Sequence, residues 1–200
     1  MTGRIIEVLP AASTSTTGDI VLFWPSDGEP LTNIASTLSW DLPDFAAAAP
    51  AARDFFRIAA AAYLADTAVS KPDVSLHRNI DLVVHVEEPD TWGSALSQIA
   101  DLLNWLTGDA WNLSLRGHDA ALPLAVGIPV ARVQLLSGGL DSLCGAAIGL
   151  RDNVDVKFIG HRDVSRAVRH SQNGIADALG VQQAYDRHEF YLRETTARKN

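Results

Sequence analysis

The sequence predicts an α/β protein whose last third forms a parallel, doubly wound sheet, incomplete and preceded by a smaller α+β domain. Three observations predict it. The apolar run Val130–Leu136 enters Ser-Gly-Gly and then the helically spaced Leu140–Leu150. A strand at Asp155–Ile159, a helix at Val164–Leu179 and a short strand at His188–Leu192 follow, completing the β-α-β-α-β order of parallel strands joined by right-handed crossovers. Upstream, two period-two segments flank a helical stripe, a second block of mixed elements. Residues 117–129 are interrupted by glycine and proline, so the boundary is set there, with domains 1–128 and 129–200.

Residues 4–9 and 18–24 read as short strands, the second alternating Ile20, Leu22 and Trp24 with Val21 and Phe23. Residues 25–50 carry turn-forming side chains, with one short piece around Ile34–Trp40. From Ala51 to Asp66 a helix is expected, entered by Pro50, with Phe55, Ile58, Ala59, Ala62 and Tyr63 on its buried face. Ile80, Leu82, Val84 and Val86 alternate with Asp81, Val83 and His85 as in a half-buried strand. His85 reads as a strand-face histidine, since no second metal ligand stands at suitable spacing. Asp90 or Thr91 would cap the next helix, whose core stripe is Trp92, Leu96, Ile99, Leu103 and Leu106. Thr107-Gly108-Asp109 stops it, and Trp111, Leu113 and Leu115 mark another strand.

In the second domain, Gly145 and Gly149 leave one face of the Leu140–Leu150 helix nearly bare, which permits close packing on the sheet. Cys144 reads as a small buried hydrophobe. Gly180 suits the C′ position of the Val164–Leu179 helix. A half-sheet of this kind is expected to expose an apolar edge.

The 200 residues are 47% hydrophobic and 20% charged, an ordinary globular composition without an apolar run of membrane-spanning length. No signal-peptide core follows Met1, and the single Cys144 supports neither a disulfide framework nor a multi-cysteine zinc site. A cytoplasmic protein is expected. Charge is uneven: up to residue 130 there are 6 basic and 16 acidic side chains, and afterwards 10 basic and 8 acidic. The acidic first part is a poor match to a nucleic-acid backbone. Arg162, Arg166 and Arg169 stand near the proposed site, either to support an anion or as the solvated face of a helix.

The chemistry concentrates at Ser137-Gly138-Gly139-Leu140-Asp141-Ser142. Adjacent glycines allow a tight turn in which several N–H groups converge on one anion, and the helix behind adds its orphan N–H groups and positive dipole end. The hydroxyls of Ser137 and Ser142 are further donors. The segment is no Walker A loop, lacking Lys-Ser/Thr after a glycine, and no dinucleotide G-x-G-x-x-G, because its glycines are adjacent. As a nucleophile elbow it has Leu135 in place of the first glycine. A Gly-Gly turn with a serine cap is the alternative without ligand.

This SGGxDS stretch resembles the pyrophosphate-binding loop of the ATP pyrophosphatase superfamily. Within it, Arg78-Asn-Ile-Asp-Leu, Pro89-Asp-Thr-Trp92 and Leu103–Leu113 resemble 7-cyano-7-deazaguanine synthase-like proteins, including those of anti-phage operons. The resemblance implies an adenine-nucleotide alpha-hydrolase-like sheet and an ATP-dependent, AMP-forming ligase. ATP, Mg²⁺, a small carboxylate and an amine would be its reactants and cofactor. It implies that Ser137, Gly138, Gly139, Leu140 and Ser142 hold pyrophosphate. Asp141 would brace the loop or hold the metal, and Ser137 and Asp141 would be the catalytic pair. The backbone of Phe158, Ile159 and Gly160 would receive the adenine.

The chain also departs from the family: only some 70 residues follow the boundary, and the synthase's cysteine cluster is absent, so zinc is expected only with such a cluster further on. Three functions are therefore carried forward. They are the carboxylate-activating ligase, with a defence-operon partner or a second copy as associate; a nucleotide-binding subunit or inactive fragment without turnover; and a tRNA-thiolation enzyme with the same loop.

Overall fold

The computed structural model describes residues 3–10, 16–24, 33–36, 48–71, 77–118, 132–152, 155–161, 165–188 and 190–192. It is α/β and divides into two compact units. The first holds β1 (Arg4–Pro10), β2 (Ile20–Trp24), α1 (Pro50–Ala68), β4 (Asn79–Val86), α2 (Leu96–Thr107) and β5 (Ala110–Gly117). The second holds β6 (Arg132–Leu135), α3 (Leu140–Arg151), β7 (Val156–His161), α4 (Arg166–Leu179) and β8 (Tyr185–His188). A short β3 (Ile34–Ser36) pairs with β9 (Phe190–Leu192).

The first unit corrects the α+β expectation. Its sheet runs β2-β1-β4-β5 with every pair parallel, which makes it α/β, and with four strands it is the widest sheet among the described residues. Alternating Asp81 and His85 on β4, and Glu7 on β1, suggest the half-solvated sheet usual for antiparallel strands. Here those polar side chains share one face, while Ile6, Val8, Ile80, Leu82, Val84 and Trp111 share the other with α1 and α2. Both crossovers advance in the same direction across the sheet, so right-handed connections place both helices on one side.

Two helix faces also differ from the expected ones. α1 turns Arg53, Asp54, Arg57, Ile58, Ala61 and Leu64 inward and leaves Phe55 and Tyr63 exposed. The reason is a polar network under its N-terminal half. The Asp54 carboxylate accepts the N–H groups of Glu87 and Glu88 at 2.9 Å each, and Arg57 reaches Asp54 at 3.0 Å and Glu87 at 2.6 Å. Arg53 closes the network on Glu87. In α2, Ile99 and Leu103 pack against the core, but Leu106 is exposed and no residue is fully buried. The segment before it, Pro89–Trp92, is a 3₁₀ turn, and no side chain caps α2. Gly108 stops the helix in the left-handed region at φ 73°.

The second unit is a parallel three-stranded sheet in the order β6-β7-β8. Its third strand is Tyr185–His188 rather than His188–Leu192, because Phe190–Leu192 pairs with β3 instead. Leu136, Val156, Phe158 and Tyr185 form one core with Ala146 of α3 and Ala176 of α4, so both helices again share a face. The second helical layer of a doubly wound sheet is not among the described residues. On the opposite face Val133 and Leu135 are exposed at the edge strand β6. Gly145 and Gly149 do serve close packing: a Cβ at Gly145 would stand 2.5 Å from the Gln134 amide. Because that glycine face is the buried one, Cys144 is exposed, against expectation. Val130 and Ala131 lie outside the described residues.

Candidate functional site

The Ser137–Gly139 turn joins β6 to α3 at the carboxyl end of the strands, the edge where open parallel sheets bind ligands. Gly138 has φ 93°, a region that costs a side chain 1–2 kcal/mol or about that. It is also pressed against α4: a Cβ there would lie 3.1 Å from Gln172 Cγ and 3.2 Å from Gln172 N. Gly139 is the N-cap of α3 in extended backbone. The first N–H groups of α3, on Leu140, Asp141 and Ser142, therefore have no helical carbonyl behind them.

Ser137, Leu140 and Asp141 are exposed, and Asp141 makes no ion pair among the described residues. The Ser142 hydroxyl is committed to the Gly139 carbonyl at 2.8 Å, so it braces the turn rather than standing as an open donor. One strand over, Phe158 is fully buried in the core and the Ile159 carbonyl accepts the Leu136 N–H at 2.8 Å. Of the three positions expected to meet adenine, Gly160 alone lies at the strand end, next to His161. Gly160 is closely packed, with the Tyr185 hydroxyl 2.5 Å from where its Cβ would be. That hydroxyl donates to the Leu136 carbonyl at 2.7 Å and fixes the start of the turn.

Gln172 was not read from the sequence as part of the site. Its Nε2 donates to the His161 carbonyl at 2.9 Å and, at the 3.5 Å limit, to the Ser137 carbonyl. One side chain of α4 thus ties together the ends of β6 and β7. It is almost fully buried, and its Oε1 has no partner among the described residues. The available signal was a polar residue on the apolar stripe Val168, Ile175, Ala176 and Leu179. Arg166 and Arg169 sit in the first turns of α4, exposed and half-buried respectively, and Arg162 lies outside the described residues.

The first unit has polar clusters of its own. Glu7, fully buried, accepts the Thr17 N–H at 2.6 Å, the Gly18 N–H at 3.2 Å and Arg116 at 2.8 Å. Its Oε1 also lies 3.0 Å from His85 Nε2. Burial alone would push this carboxyl up, but the Thr17 N–H, His85, Arg116 and the Gly18 N–H together hold it below the usual glutamate value. The cluster ties residues 17 and 18 to the strands and uses His85 on the strand face. Arg78 is buried between Asp109, Asp66 and the Val69 carbonyl. No group of three or more metal-capable side chains occurs among the described residues. No family model, no curated protein and no solved structure matches the chain.

Proposed function

We propose that the chain binds ATP at Ser137–Ser142 and acts as an ATP-dependent, AMP-forming carbon–nitrogen ligase, the activity that the SGGxDS resemblance implies. The observation that carries this reading is Gly138 at φ 93° between the end of β6 and the start of α3. Such a turn leaves N–H groups and the positive end of a helix open to a phosphate. Ser137 and Asp141 are exposed beside it, and Gln172 steadies the turn from below.

In this reading the backbone of Gly138–Ser142 and the Ser137 hydroxyl hold the β and γ phosphates. Their hydrogen bonds stabilise charge as an oxygen of the substrate carboxylate attacks the α-phosphorus and the bond to pyrophosphate breaks. An amine then displaces AMP. Asp141 is a lone exposed carboxylate, which fits Mg²⁺ held mainly by phosphates and water. When bound, the ion neutralises charge on the leaving pyrophosphate.

Calorimetric titration with ATP, paired with ATP–pyrophosphate exchange over a pool of small carboxylic acids, tests the proposal. Ser137→Ala combined with Asp141→Ala is expected to weaken ATP binding about tenfold or more and to abolish exchange. Unchanged ATP binding in the double variant would overturn the site. Binding without exchange in the intact chain would assign a nucleotide-binding subunit without turnover.

A further inference from the structure

We infer that Glu7, His85 and Arg116 build a binding site for a small oxyanion that also carries a hydroxyl group, the chemistry shared by hydroxycarboxylates and hydrogen phosphate. The site belongs to the first unit and does not rest on the nucleotide reading of the second. In the strand order β2-β1-β4-β5, the chain leaves β1 for β2 on one side and leaves β4 for β5 on the other. The carboxyl ends of β1 and β4 therefore flank a topological switch point, where open parallel sheets take up ligands. Glu7 stands on β1, and His85 stands one residue before the end of β4. Arg116, the register partner of His85, stands one residue before the end of β5.

Glu7 is the fixed member. Burial favours its acid form, but the Thr17 N–H, His85, Arg116 and the Gly18 N–H outweigh burial and keep it ionised. A carboxylate only accepts, so the His85 Nε2 that lies 3.0 Å from its Oε1 carries the ring hydrogen, and Nδ1 of the neutral ring is left as an acceptor. That Nδ1 has no partner among the described residues and, unlike the ring nitrogens of His118, is not sealed from solvent. Arg116 commits Nη1 to the same Oε1 at 2.8 Å and to Thr17 Oγ1 at 3.2 Å. Its side chain is 47% exposed, and its Nε and Nη2 make no hydrogen bond among the described residues. One buried oxygen thus holds an acceptor nitrogen and an open guanidinium edge side by side. A bare anion would suit the guanidinium but face the Nδ1 lone pair. A ligand with an O–H beside its anionic oxygen donates to Nδ1 and accepts from Arg116, which satisfies both.

Two matched pairs of probes test the site at neutral pH: glycolate against acetate, and phosphate against sulfate. Ring-nitrogen NMR resonances of His85 in the full chain, identified by their loss in His85→Gln, report contact at Nδ1. In at least one pair the hydroxyl-bearing member is expected to shift Nδ1 saturably and to bind about tenfold or more tighter than its partner. Discrimination by the first pair assigns a hydroxycarboxylate, by the second a phosphate, and by both the chemistry they share. His85→Gln keeps a donor for Glu7 and removes the acceptor. It is expected to bring the two members to equal affinity, read on the Arg116 Nε resonance, with an unchanged circular dichroism spectrum. Arg116→Lys retains a cation beside Glu7 without the outward N–H edge and is expected to weaken binding about tenfold. No saturable shift at Nδ1, equal affinity within both pairs, or a preference that survives in His85→Gln would overturn the inference. So would a response that disappears in Ser137→Ala with Asp141→Ala, which would place the anion at the turn of the second unit.

Discussion

Gly138 meets two demands, a positive φ of 93° and the backbone of α4 at the distance of a missing Cβ. Gly138→Ala is therefore expected to cost the second unit about 1–3 kcal/mol, through strain and displacement of Gln172. Faster hydrogen exchange across β6 and α4, with the first unit unchanged, is the check; equal protection would mean that the turn yields at no cost. Arg78 is a separate case, because removing it strands a partner. The Asp109 side chain is fully buried and is held as a carboxylate below its usual range. Burial opposes that state, but the Arg78 side chain and N–H outweigh it. Arg78→Ala should destabilise the first unit by about 3–5 kcal/mol, the cost of an uncompensated buried charge. Arg78→Ala with Asp109→Asn should recover part of that loss in urea titrations.

At the scale of the element, the type of most segments was legible and their partners were not. The four–three spacing of Ile99, Leu103 and Leu106 marks α2, and Gly108 and Gly180 end α2 and α4 in the left-handed region, as glycine favours. Spacing does not say what covers a stripe. In α1 Phe55 and Tyr63 are left exposed, while Asp54, Arg53 and Arg57 go inward with Ile58 and Leu64 because they satisfy one another and the N–H groups at the end of β4. A lone buried charge would be prohibitive, but a closed network is tolerated, and periodicity cannot tell the two apart. Phe190–Leu192 shows the same limit: its apolar character suits any sheet, and pairing with β3 joins residues far apart in the chain. The Ser-Gly-Gly turn was readable because its geometry is local. Gln172, which steadies it, was not, since that contact spans 35 positions.

On the scale of the whole molecule, the two units should respond differently to acid, because the groups with displaced pKa values among the described residues lie in the first. Burial opposes the charged forms of Glu7, Glu87 and Asp109, but their hydrogen bonds and arginine partners prevail and hold all three below their ordinary values. Their stabilisation is complete above the ordinary values of 4.5 and 3.8 and is lost as pH falls through the lower values of the folded state. His118 adds an earlier stage. Burial, assisted by the Arg57 charge, lowers its pKa, and neither ring nitrogen has a hydrogen-bond partner among the described residues. The unfolded chain takes up a proton near the ordinary value of 6.5 while the folded unit resists, so stability falls from there downward. Urea titrations of the first unit, followed by hydrogen exchange in Asn79–Gly117, should show a decline below pH 6.5 and a steeper one below 4.5. His118→Phe should remove the first stage and keep the second, since it loses no hydrogen bond and cannot be protonated. A first stage that persists in this variant would place the proton uptake elsewhere.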